Sequence, residues 1–171
     1  MKHILAILTA ITFATTALAA DKIEGAFGLR LGDSFEPSGR RLVVEGVTDT
    51  EDAFEFVPKK PNPAFSTYVV FITPNTHRIY RILAISKPAD SALANEQSNI
   101  IIALLHRKYG AGPFRGGQFT ISQESRNVTV TIWSAGSQVS LRADYRDETL
   151  VTQASEERLD NKLKGANADG L

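Results

Sequence analysis

The chain has no cysteine, and its single methionine is Met1. The absence of cysteine excludes disulfides, thiolate metal sites and a cysteine nucleophile, and it also excludes lipid attachment at a cleavage-site cysteine. Neither sign of charge dominates, since 19 Lys and Arg balance 19 Asp and Glu. A chain so balanced has no long-range attraction for nucleic acid or for anionic lipid, so we predict neither as a partner.

Long hydrophobic runs are also absent, and the longest falls short of the ~20 apolar residues that span a bilayer. It extends from Ile4 to about Thr16, follows Lys2 and His3, and precedes Ala17-Leu18-Ala19. This order of positive, apolar and A-x-A segments is typical of a cleavable signal peptide. We therefore predict that residues 1–19 are removed by cleavage near Ala19. The mature protein is then soluble, periplasmic or secreted, and without a membrane anchor.

Residues that carry catalysis or bind metals are few. His77 and His106 are the two histidines left after processing, and they lack the close spacing of a zinc-ligand pair. The chain contains neither a G-x-S-x-G nucleophile elbow nor a G-x-x-x-x-G-K-[ST] phosphate loop. These patterns disfavour the common hydrolase and nucleotide-binding classes, and we predict no catalytic residue, metal or cofactor.

What is present is a succession of short segments rich in β-branched and aromatic residues, bounded by Gly, Pro and Asn. The second arm of a hairpin around Pro74-Asn75-Thr76 is apolar on both faces, which predicts an interior position in a sheet. The predicted strands lie within residues 23–32, 41–45, 53–57, 66–73, 77–86, 118–123, 127–133 and 138–145.

Two segments have helical periodicity. The first begins at Asp90 or Ser91, which can cap it, and ends before Gly110. Its apolar residues with helical spacing predict one face that packs on the sheet. That face consists of Leu93, Gln97, Ile100, Ile101, Leu104 and Lys108. The second helix is predicted from about Asp147 to Leu163.

The order of these elements indicates an α+β fold. We predict a mostly antiparallel sheet of about six or seven strands covered by one long helix, with a C-terminal helix in addition. The domain is predicted to occupy residues 20–164, and residues 165–171 to be a frayed tail.

Three segments resemble small exported proteins of Gram-negative bacteria that have no characterised activity. The first is Gly25-Ala26-Phe27-Gly28-Leu29-Arg30-Leu31-Gly32, which is similar to their FGLxLG opening. The other two are the hairpin from Tyr68 to Ile82 and the helix end Leu105-His106-Arg107-Lys108-Tyr109-Gly110. The resemblance implies export and a shared fold, and it transfers no catalytic residue.

The segment Pro58–Pro63 is the most distinctive surface candidate. Three prolines stiffen it, and a stiff loop loses little entropy when a partner binds. The predicted partner-binding surface is Lys59, Lys60, Pro61, Phe65 and Trp133. The alternative for the loop is a rigid connector between strands, and the alternative for Trp133 is a core-filling or edge-filling role.

These features predict a non-enzymatic exported protein that binds another envelope protein or peptide, in an inhibitor, immunity or accessory role. The alternative is an envelope enzyme or small-ligand-binding protein whose site assembles only in three dimensions.

Overall fold

The computed structural model describes residues 20–47, 52–135 and 137–168, so the predicted signal peptide lies outside the described residues. Within these residues, seven strands form one antiparallel sheet, and two helices accompany it. The α+β prediction is therefore confirmed. In chain order the elements are β1 (Gly25–Ala26), β2 (Leu29–Arg30), β3 (Ala53–Glu55), β4 (Thr67–Ile72), β5 (Ile79–Ile85), α1 (Ser91–Tyr109), β6 (Phe114–Arg115), β7 (Gln118–Gln123), β8 (Arg126–Ala135), β9 (Gln138–Asp147) and α2 (Glu148–Ala168).

The seven strands of the sheet lie in the order β3-β4-β5-β9-β8-β7-β6. Strand β5 therefore has the interior position that its two apolar faces predict, between β4 and β9. Its side chains divide between two apolar clusters, because Ile82 belongs to the α1 side of the sheet and Leu83 to the α2 side. The register between β4 and β5 shifts after Phe71. This β-bulge puts the consecutive Tyr80 and Arg81 on the same face, the one that α2 covers.

Helix α1 begins as predicted, since the Asp90 carboxylate accepts a hydrogen bond of 2.8 Å from the Leu93 backbone N–H. Gly110 ends the helix with a φ of 90°, but its ψ of −175° is extended instead of left-handed helical.

The predicted packing face of α1 is wrong by about one residue. Leu104 is 46% exposed, whereas Leu105 is only 6% exposed. The buried residues follow a neighbouring stripe, and two of them, Ala94 and Ser98, are too small or too polar to be recognised as core from periodicity. Those buried residues are Ala94, Ser98, Ile101, Leu105 and Tyr109.

The predicted first strand is instead a separate hairpin of β1 and β2. Phe27 and Gly28 form its turn with φ of 56° and 91°, the left-handed region that matches the twist of a two-residue hairpin. A phenylalanine is strained there. Its ring packs edge-on against Phe65, Tyr68 and Tyr145, at centroid distances of 5.8, 5.0 and 6.0 Å, and these contacts offset the strain.

Three smaller differences concern element bounds. Of the predicted strand 41–45, Arg41 alone forms a bridge, to Phe54. The short strand β6 was not predicted, because two residues before a Gly-Gly turn are too few to show a period. Helix α2 continues through Ala168, five residues beyond its predicted end. Residues 169–171 lie outside the described residues, and fraying of the chain end stays a prediction.

The two helices cover opposite faces of the sheet. Helix α1 packs on β8 and β9, whereas α2 packs mainly on β5 through Leu150 and Ala154. Neither helix of the described chain combines the length and hydropathy needed to cross a bilayer. On the α1 side, the β1–β2 hairpin and the segment after Pro58 cover the rest of the sheet, and this arrangement positions the candidate site.

Candidate functional site

The candidate functional site is the exposed flank of α1 that carries Leu93, Ile100 and Leu104, together with the cavities at its two ends; we call this surface the groove. It contains two open cavities, of about 590 Å³ near the start of α1 and about 630 Å³ near its end. Leu93 and Gln97 line the first cavity, and Lys108 and Tyr109 line the second. Both cavities therefore border the same helix, one at each end of it.

The helical wall of the groove presents apolar side chains to solvent. Leu93, Ile100 and Leu104 are 45%, 53% and 46% exposed. Their spacing of seven and four residues puts them along one flank of the helix, together with Gln97 and Lys108. Burying large apolar side chains is favourable, so a continuous exposed row of them is a surface that a partner can stabilise.

The opposite wall of the groove is a layer formed by the Pro58–Pro63 segment, the residues directly after it and the β1–β2 hairpin. The Tyr68 hydroxyl fixes this segment, because it accepts from the Asn62 N–H and donates to the Asn62 carbonyl, both at 2.9 Å. The Asn62 side chain also accepts from the Ala64 N–H at 2.9 Å. Since the backbone is already held, this wall loses little freedom when a ligand binds.

The cavity near the end of α1 is cationic. Lys22, Arg30, Lys60 and Lys108 line it, against the two carboxylates of Asp21 and Glu24. Arg30 already pairs with Glu24 at 3.0 Å. The three lysines form no ion pair within the described part of the chain, although the Lys108 ammonium lies 4.8 Å from the centroid of the Tyr109 ring.

Four of the five predicted partner-contacting residues lie around this rigid wall. Lys60 lines the cationic cavity, and Phe65 lines the cavity near the start of α1. Lys59 packs against the hairpin turn, where a Cβ on Gly28 would be 2.9 Å from the Lys59 Cβ. Pro61 lines a separate cavity beside β3. Phe65 is only 7% exposed, so it supports the wall from below more than it offers contact area.

Trp133 lies apart from these residues, on the α2 side of the sheet. The Arg142 guanidinium lies over its ring at 4.2 Å from the centroid, and a Cβ on Gly46 would be 2.3 Å from the ring. Among the described residues, its buried indole Nε1 has no hydrogen-bond partner, and neither has Arg142 Nε. Burial lowers the pKa of Arg142, the nearby Glu45 opposes that effect, and Arg81 adds to it. Trp133 is therefore part of a packed layer and is not joined to the groove.

The two histidines are in different parts of the fold. His77 Nδ1 is 3.7 Å from a carboxylate oxygen of Glu36, at the β4–β5 turn. His106 lies on α1 with its ring centroid 4.8 Å from that of Phe119. Within the described ranges, no three His, Asp or Glu side chains are close enough together to hold a metal ion.

Sequence reasoning missed part of the groove and found another part for the wrong reason. The row Leu93, Gln97, Ile100, Leu104 and Lys108 was recognised by its period but assigned to the sheet. Nothing in the sequence indicated that Lys22 and Lys108 share a cavity with Lys60, because the three residues lie far apart along the chain.

Comparison of the chain with models of protein families, with curated proteins and with solved structures found no match.

Proposed function

We propose that the protein is an exported, non-enzymatic binding protein that holds a segment of another envelope protein in the groove along α1. The observation that supports this proposal is the row Leu93, Ile100 and Leu104, each about half exposed, which extends along α1 from one cavity toward the other. Recognition of a peptide segment by an apolar groove is a common use of this kind of surface.

The dimensions of the groove favour a protein segment over a small molecule. From Leu93 to Lys108 the helix rises about 22 Å, at about 1.5 Å per residue. This length fits about seven residues of an extended peptide, at about 3.3 Å per residue. The cavities at the two ends are both open to solvent, which suits a segment that continues beyond the groove at either end.

The test is a capture experiment with a double variant of the groove, Ile100→Ser/Leu104→Ser. Immobilised mature protein is mixed with periplasmic extract, and the retained proteins are quantified by mass spectrometry. Full burial of a leucine or isoleucine side chain contributes about 1.5–3 kcal/mol, and a half-exposed side chain can still gain half of that when a partner covers it. The double change should therefore weaken capture of a specific partner by about ten-fold or more.

The matched control is Leu159→Ser/Leu163→Ser on α2, where the leucines are 57% and 55% exposed. It makes the same chemical change at similar exposure on the other side of the sheet. Proteins retained by the wild type and by the α2 variant but lost by the groove variant support the proposal. Equal retention by all three, or retention of no protein by any, contradicts it.

A further inference from the structure

We infer that the segment held in this groove is acidic at one end and apolar along the rest, with its carboxylates beside Lys60 and Lys108. The inference rests on the proposed function and names the chemistry of the partner. It follows from the uneven distribution of charge along the groove.

The cationic end has more positive charge than its own carboxylates can neutralise. With Arg30 and Glu24 paired, Lys22, Lys60 and Lys108 remain against Asp21 alone. Lysines on a concave surface raise the local concentration of anionic groups, and the effect is strongest where apolar walls exclude water. A carboxylate placed there would gain charge-assisted hydrogen bonds from the ammonium groups.

The other end of the groove has a smaller excess of positive charge, from one lysine instead of a cluster. Lys87 is the one charged residue in the lining of the cavity near the start of α1. The remaining lining is largely proline, alanine, phenylalanine and serine from residues 63–66 and 86–89, with Leu93 and Gln97. This end fits apolar side chains, so the groove has a direction and a bound segment has one preferred orientation.

A basic segment is disfavoured by the same arrangement. It would bring positive charge to three lysines that lack ion-pair partners in the described chain, and like charges brought together reduce affinity and exclude wrong partners. The charge distribution therefore favours a negatively charged partner segment. The apolar row Leu93, Ile100 and Leu104 contributes affinity that does not depend on the charge of the segment.

The test uses two fluorescent synthetic peptides of about ten residues that share leucines alternating with serines, one ending in glutamates and the other in lysines. Fluorescence anisotropy against mature protein at low salt measures both affinities. We expect the dissociation constant of the glutamate peptide to be lower than that of the lysine peptide by about ten-fold or more. This difference should shrink as added salt screens the charges.

The variant Lys60→Ala/Lys108→Ala should reduce binding of the glutamate peptide about five-fold or more, with the urea midpoint unchanged, because both side chains lie at an open cavity. The control Lys162→Ala/Lys164→Ala removes two exposed lysines from α2 and should change nothing. Equal affinity for the two peptides, including no measurable binding of either, overturns the inference, as does insensitivity to the Lys60 and Lys108 changes.

Failure of this inference can be told apart from failure of the proposed function. If Ile100→Ser/Leu104→Ser abolishes binding of both peptides while the lysine variant changes nothing, the groove binds segments without regard to charge. If the lysine variant abolishes binding of the glutamate peptide while the groove variant retains it, the lysines alone hold the anion and the groove is not the binding site.

Discussion

The buried charge cluster under α2 and the cationic cavity beside α1 differ in how their charges are neutralised. On the α2 side, Asp144 pairs with both Arg81 and Arg146 at 2.8 Å, and Arg158 pairs with Asp52 at 2.7 Å. On the α1 side, the lysines of the groove have no carboxylate partner in the described chain, and the neighbouring apolar residues are half exposed. Charges that are already paired have little left to offer a ligand, so the lysines of the groove are the charges that the proposed binding would use.

The largest expected effect comes from breaking the buried pair on the α2 side with Asp144→Ala. The Arg81 side chain is 9% exposed and donates to Asp144 from Nε and Nη2, at 2.9 and 2.8 Å. Its charge would be left buried and unpaired, at a cost of about 3–5 kcal/mol. Urea unfolding measures the loss.

Glu24→Ala is the control for Asp144→Ala on the other face. It breaks the Arg30–Glu24 pair, whose side chains are 64% and 54% exposed, and should cost about 0–1 kcal/mol. Similar losses in the two variants would mean that the faces do not differ as described.

The second prediction compares two adjacent leucines of α1. Leu105→Ala should cost about 2–5 kcal/mol, because Leu105 is 6% exposed and its removal leaves a cavity under the helix. Leu104→Ala should cost less than about 1 kcal/mol, since nearly half of that side chain already contacts water. The urea midpoints of the two variants check the register of α1 directly. A larger loss for Leu104→Ala would mean that the Leu104 flank of α1 faces the sheet, and the proposed groove would then not exist.

The smallest effect is expected at Glu157, which connects α2 to the β4–β5 turn. Burial would raise the pKa of Glu157, but hydrogen bonds from the Asn75 N–H, Gln153 and Thr76 outweigh burial and lower it. A lowered pKa stabilises the fold above the usual carboxyl range, and this stabilisation is lost as the pH falls through the lowered value.

Glu157→Gln should therefore reduce stability at neutral pH by about 0.5 kcal/mol, since an exposed charge is screened, and the difference from wild type should vanish in acid. Urea unfolding at a series of pH values measures it. A difference that grows on acidification would contradict the assigned direction.

Much of the fold could be predicted because its signals are local. The Asp90 cap, the interior position of β5 and the alternation in β8 and β9 each depend on a few neighbouring residues and agree with the structure. The helix register could not be read in the same way. The stripes through Leu104 and through Leu105 are displaced by one residue, and both contain large apolar side chains, so periodicity alone does not show which of them packs on the sheet.

The candidate site was harder to predict because it depends on contacts between distant segments. The proline spacing predicts a stiff Pro58–Pro63 segment, but it gives no sign that the Tyr68 hydroxyl holds the Asn62 backbone of this segment. Phe27 was assigned to a strand because it alternates with Leu29 and Leu31, whereas the structure gives it a left-handed conformation that its contact with three aromatic rings makes acceptable. Such contacts leave no periodic trace in the sequence.

The packing around Trp133 makes its fluorescence a probe of folding that is insensitive to binding at the groove. Trp133 is the only tryptophan in the chain, and the Arg142 guanidinium and Gly46 enclose it on the α2 side. Its emission should therefore change when the 42–47 segment lifts away or the domain unfolds, whereas occupation of the α1 groove should leave the spectrum almost unaltered. One optical signal then separates loss of structure from binding, without any attached dye.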